Sequence, residues 1–165
     1  MSPTATGSPT SNDSATRNVP TRFPDLTVSI DDGDATFVEG TKASYTVTST
    51  NIANVDAIDT TRVFINVPFD EANATGVTWT CMSTFQITCD RASALQPGAA
   101  PPIIVDGIVR DGFDGEVTAT ASVSHPSDSV SANNSDTETT PVLARVDFAI
   151  GAEVSGVLVV GSTGT

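Results

Sequence analysis

Histidine and lysine are almost absent from this sequence: His125 and Lys42 each stand alone. One imidazole excludes every site that needs two, the HExxH zinc motif and most structural zinc arrangements among them. Basic residues number only 7 against 20 acidic ones, for a formal net charge of −13. So few cations cannot follow the phosphates of a nucleic acid, and they offer no attraction to an anionic membrane surface. Charge of either sign is scarce, at 16% of the chain, against roughly 25% in an average globular protein. Polarity therefore falls to Ser, Thr and Asn. Long apolar runs are missing too. Val157-Leu158-Val159-Val160 is the nearest approach to the roughly 18 residues that a membrane-spanning helix requires. The stretch from Met1 to Asp25 holds no apolar run of the kind a secretory signal needs, so no targeting peptide is expected. No Gly-x-Ser-x-Gly elbow is present, and no enzyme is expected.

What the 165 residues do contain is a 38% hydrophobic fraction, enough for one core and one modest domain. Residues 1–24 are mainly Ser, Thr, Pro, Asn and Gly. Such a segment buries too little apolar area to offset chain entropy and is expected to be a flexible linker. From Asp25 the pattern turns to short period-2 runs divided by turn residues. In Glu116 to Ser124, Val117, Ala119, Ala121 and Val123 share one face and hydroxyls cover the other. Lys42 to Thr48 repeats the design with Ala43, Tyr45 and Val47 inward, and Arg62 to Val67 is a third strand ended by Pro68. Ile103 to Val109 is a fourth, in which Asp106-Gly107 suggests a bulge. Weaker strands are expected at 26–30, 35–38, 76–80, 86–89 and 135–140. With turn signals at Asp32-Gly33, Pro97-Gly98 and Asp111-Gly112, the pattern predicts an all-β antiparallel sandwich over 25–142. The lack of crossover helices excludes a parallel α/β fold.

Cys81 and Cys89 enclose seven residues around an expected turn or small hairpin. The spacing allows a disulfide, which in an oxidising compartment would contribute roughly 2–3 kcal/mol by closing a short loop. Two free buried thiols are the alternative, and a metal site lacks further ligands. Trp79 is expected to shield the bridge and fill the edge of the core.

The sequence also repeats itself. Asp25-Leu26-Thr27-Val28-Ser29-Ile30, followed by Phe37-Val38-Glu39-Gly40-Thr41, recurs as Asp147-Phe148-Ala149-Ile150-Gly151-Ala152, followed by Val159-Val160-Gly161-Ser162-Thr163, with a one-residue slip just before the glycine. Residues 143–165 therefore read as the opening strands of a second repeat, joined through Pro141 to Arg145. An ordered set of small motifs accompanies this: Gly40-Thr41 before Tyr45-Thr46-Val47, Asn51, Val67-Pro68, Trp79-Thr80-Cys81, Leu95-x-Pro97-Gly98, the Val117–Val123 strand and Ala132-Asn133-Asn134. Together they resemble the DUF11 domain, a tandem immunoglobulin-like repeat of bacterial and archaeal cell-surface and secreted proteins. The resemblance implies an immunoglobulin-like sandwich in an extracellular stalk, spacer or adhesive architecture, with no catalytic residues. Its partners would be neighbouring repeats or identical subunits.

Several residues remain as candidate sites. His125, between Ser124 and Pro126, reads as a surface turn residue at a strand end. Asp31, Asp32 and Asp34 form one acidic loop, and Asp106, Asp111 and Asp114 another. They are weak calcium candidates, since calcium needs six to eight oxygens and EF-hand spacing is absent; no other cofactor is expected, and solvated turn aspartates are the plainer reading. Asn12, Asn73 and Asn133 head Asn-x-Ser/Thr sequons open to glycosylation. Lys42 is expected to face solvent at a strand start rather than to form an isopeptide with an Asn. Val146, Phe148, Ile150, Val154, Val157, Leu158, Val159 and Val160 form an apolar, strand-like segment that needs cover. It is either disordered or docked on its own domain, or it adds to a neighbouring copy, as in a filament or appendage subunit. Three functions follow in order: a structural repeat module, a self-assembling filament subunit using residues 143–165, and a calcium-ordered adhesin tip.

Overall fold

The alternation around Val117 becomes β10 (Gly115–Ser124), where Val117, Ala119, Ala121 and Val123 are buried while Thr118 and Thr120 are exposed. The computed structural model describes residues 22–33, 35–113, 115–146 and 150–151. Among these are no α-helix and one short 3₁₀ turn, Ser131–Asn133. The strands form two sheets. In the first the order is β1 (Leu26–Asp31), β3 (Lys42–Asn51), β9 (Ile103–Val109) and β5 (Phe69–Gly76), with β8 (Gly98–Ala99) pairing the end of β3. In the second it is β2 (Phe37–Val38), β11 (Ser135–Leu143), β10, β4 (Thr61–Asn66), β7 (Ile87–Arg91) and β6 (Thr80–Ser83). All pairs are antiparallel except β2 with β11, which is parallel. The fold is an all-β sandwich.

The core lies between the sheets because each strand turns its apolar alternate residues inward. Tyr45, Leu26, Ile65, Ile103, Val47, Val63, Val105 and Val109 are fully enclosed. Tyr45 stacks on Phe69 with ring centroids 5.3 Å apart and meets the edge of Phe37 at the same distance. This aromatic group joins β2, β3 and β5 across the sandwich.

Two expectations need correction here. The segment expected as a strand at 76–80 is a turn: Thr78 has φ +70°, Trp79 N–H donates to the Gly76 carbonyl at 3.2 Å, and Val77 is exposed. The strand is β5, just before it. Its period-2 signal is broken because Asp70 pairs with Ile108 and Asn73 with Asp106, so two β5 residues face one on β9. The bulge expected at Asp106-Gly107 thus belongs to the partner strand. Gly107 serves that strand differently, since a Cβ there would lie 2.5 Å from the Cβ of Phe69.

Candidate functional site

Where the chain comes in and where it leaves are set by strand register. Leu26 of β1 pairs with Asn51, the last residue of β3, so the chain reaches the domain at the pole where β3 ends. Lys42, the first residue of β3, pairs with Ile108 near the end of β9; the β9–β10 turn and the start of β10 therefore lie at the opposite pole. There Gly115 pairs with Val142 of β11, so the chain departs at this second pole. The ten residues of β3 separate the poles, about 30 Å at the usual rise of a strand.

Each pole is tied by specific bonds. At the N-terminal pole the Pro24 carbonyl accepts from both the backbone N–H and the hydroxyl of Ser129, at 3.1 and 3.2 Å. The Asp25 carbonyl accepts from Ile52 N–H at 2.8 Å, and Asp25 Oδ1 from Asn133 Nδ2 at 2.8 Å. Ile30 N–H reaches across to Asp136 Oδ2 of β11 at 2.9 Å. At the C-terminal pole Glu39 is the organiser. Its N–H donates to the Leu143 carbonyl at 3.1 Å. Its Oε1 accepts from Gly112 and Phe113 N–H at 2.7 and 2.9 Å, and its Oε2 from Arg145 N–H at 3.3 Å. Next to it Gly40 N–H donates to the Val109 carbonyl, and Val109 N–H to the Thr41 carbonyl, both at 2.9 Å. One short turn thus grips β9, the β9–β10 turn and the departing strand. Gly40 makes the grip feasible: it sits at φ +68°, which a residue with a Cβ rarely adopts. Nothing in the sequence marked Glu39, which falls at the one-residue slip of the repeat and has no counterpart there.

The cysteines face each other on β6 and β7 and form the Cys81–Cys89 disulfide, with Cα atoms 4.0 Å apart. The hairpin it closes carries exposed Met82 and, at its tip, fully exposed Phe85. Trp79 is buried and donates its indole N–H to the Pro101 carbonyl at 2.8 Å.

His125 is a correction: it is buried rather than on the surface. Its Nδ1 accepts from Ser127 N–H at 3.2 Å and its Nε2 is enclosed without a partner. Strand periodicity does not foretell this burial, since His125 lies one residue past the end of β10.

Asp31 Oδ1 accepts from Gly33 N–H at 2.5 Å and Asp32 Oδ1 from Ala35 N–H at 3.2 Å, the bonds of an ordinary aspartate turn. Asp111 is exposed at the other pole, and Asp106 lies on the outer face of β9. Asp34 and Asp114 lie outside the described residues. Among the described residues no group of three or more His, Cys, Asp and Glu could hold a metal ion. Lys42 is exposed, beside Glu71, Asn73 and Asp106 on a shallow groove of about 510 Å³.

Asn73 stands exposed on edge strand β5, whereas Asn133 is half-buried with its amide nitrogen engaged by Asp25. Asn12 lies outside the described residues. Of the apolar C-terminal segment, Val146 and Ile150 are exposed; Phe148, Val154, Val157, Leu158, Val159 and Val160 lie outside the described residues.

Two ionisable settings depart from the ordinary. Burial pushes the Tyr45 phenol above its usual range, opposed by its hydrogen bond to the Thr140 hydroxyl and aided by the charges of Asp32 and Glu138. The bidentate bond from Arg62, at 2.6 and 2.7 Å, holds the Asp90 carboxyl below the usual carboxylate range. That pair lies at the surface, where solvent screening leaves little net stabilisation.

No protein-family model matches the sequence, and no curated relative matches it. Solved structures do. A cohesin module from a family 33 glycoside hydrolase of Clostridium perfringens is similar with a TM-score of 0.51 at 9% identity, over 76% of this chain and 100% of that one. The CARDB domain of a Pyrococcus furiosus protein, solved in complex with di-metal ions, gives 0.47 at 19%, over 74% and 96%. AvmM, which catalyses macrocyclization in alchivemycin A biosynthesis, gives 0.48 at 10%, over 77% and 93%. At such identities the likeness is one of fold alone, so function has to be argued from this chain's own residues.

Proposed function

We propose that the chain is a non-enzymatic structural repeat of an extracellular or cell-surface protein, of the DUF11 kind, set in line with further copies of the same module. The observation that carries this reading is the placement of the two chain connections at opposite poles of the sandwich, each fastened by side-chain bonds. A module so connected adds its full length to whatever precedes and follows it. The repeated opening sequence at 147–152 supports the same reading, because only four residues, 144–147, separate the end of β11 from the counterpart of Leu26. So short a joint keeps consecutive modules in contact. The disulfide suits an oxidising compartment, and Asn73 is the sequon on which a glycan would stand clear of the folded chain.

A second reading is favoured by the exposure of Leu143, Val146 and Ile150: residues 143–165 complete a sheet of another copy and build a filament. Solution mass over a range of concentrations separates the two, measured on the full chain and on a chain ending at Val142. The repeat-module reading predicts monomers for both. A mass that climbs with concentration for the full chain alone would replace it with the filament.

A further inference from the structure

We infer that the sandwich is a force-bearing device whose two terminal strands act as shear clamps, with Glu39 as the bolt of the C-terminal one. This rests on the reading of the chain as a module in a row, through which tension between neighbours would pass from one pole to the other.

The direction of pull follows from register. Tension on the N-terminal side draws β1 away from the pole where Leu26 pairs with Asn51, so β1 must slide along β3. The six pairs from Leu26 with Asn51 to Asp31 with Thr46 are then loaded together. Tension on the C-terminal side draws β11 outward past Val142, so β11 must slide along β10, to which eight pairs bind it. It must also slide along β2, its parallel partner, through Val142 with Phe37 and Leu143 with Val38. A strand pulled along its own axis must strain its bonds at once, whereas a strand peeled from one end gives them up singly.

The bonds at the poles spread this load over both sheets. β1 belongs to the first sheet yet is bonded to β11 of the second through Ile30 and Asp136, and Pro24 just before it is held by Ser129. On the C-terminal side, Glu39 takes the load from Leu143 through its N–H and from Arg145 through Oε2. It passes this to the β9–β10 turn through Oε1, while Gly40 and Thr41 anchor the β2–β3 turn that carries it to Val109 of the first sheet. The disulfide lies off this path, on the outermost hairpin of the second sheet. It ties β6 to β7 and leaves the clamps to carry the tension.

The test is single-molecule unfolding of the full oxidised chain at one pulling speed in two geometries. In the first, handles sit at the two termini. In the second, one sits at the C-terminus and one on Glu116→Cys, whose parent residue is exposed on β10 opposite Pro141, so that β11 is peeled from β10. The expected result is an end-to-end unfolding force about twofold or more above the peeling force, since forced unfolding reports the barrier along the pulled path. Equal forces would overturn the proposal. In Glu39→Gln one side-chain oxygen still serves Gly112 and Phe113, but the amide cannot accept from Arg145. The end-to-end force should fall proportionally more than the peeling force, and an unchanged ratio would remove Glu39 from the clamp. The force ratio is a property of one chain, so it stands or falls separately from the solution-mass test of the repeat-module reading.

Discussion

Tyr45 is the chain's single tyrosine and sits at the centre of its core, with its hydroxyl 2.9 Å from that of Thr140. Both residues are fully buried, so ionising the phenol would place a charge in a low-dielectric interior. Its folded pKa lies above the unfolded value near 10. The neutral phenol's contribution is therefore complete below about pH 10 and is lost as pH rises through the folded value, at up to about 1.4 kcal/mol per pH unit. Tyrosinate absorbance should accordingly appear together with unfolding measured by circular dichroism, and an earlier, separate titration would contradict the burial. Tyr45→Phe should remove this alkaline sensitivity. It should also cost about 1–2 kcal/mol in urea unfolding, because it strands the Thr140 hydroxyl. The inward face of Tyr45 was legible in the Lys42–Thr48 alternation, as were Val117 to Val123. His125 was not, because it lies one residue beyond the end of β10, where the alternation no longer says which way a side chain faces. Gly107 showed that something irregular happens at that point of β9, but the cause is Phe69 on another strand, and no local pattern holds that information.

Among elements, the β6–β7 hairpin is the one held by a covalent bond. It lies at the edge of its sheet, its tip is exposed, and Cys81 pairs directly with Cys89. Reducing the bridge should lower stability by roughly 2–3 kcal/mol, the loop-entropy value for so short a loop. The sandwich should stay folded, because its enclosed residues lie mainly on β1, β3, β4, β9 and β10. Chemical denaturation with and without reductant checks both points, and loss of all structure on reduction would show that the hairpin holds the core. Strands with unbroken alternation, β3, β4 and β10, could be read from the sequence almost to their ends. β5 escaped because its bulge shifts the inward positions, and the apolar pair Val77 and Trp79 mimicked a strand where the chain turns. The parallel β2–β11 contact escaped for a different reason: two residues carry no period, and their partner lies about a hundred residues away along the chain.

For the molecule as a whole, the acidic charge and scarce lysine pointed to no site. The layout of the two poles carries the functional argument, and only the repeat hinted at it beforehand. On the reading proposed above, the chain before Asp25 and after Leu143 serves as a connection on either side of the sandwich. The central claim is that the chain runs from one pole to the other. It is tested most directly by the distance between spin labels on Phe23→Cys and Val146→Cys in the oxidised protein, both parent residues being exposed. Pole-to-pole passage predicts a separation of about 30 Å or more, and a separation below about 20 Å would place both connections at one end and contradict the account.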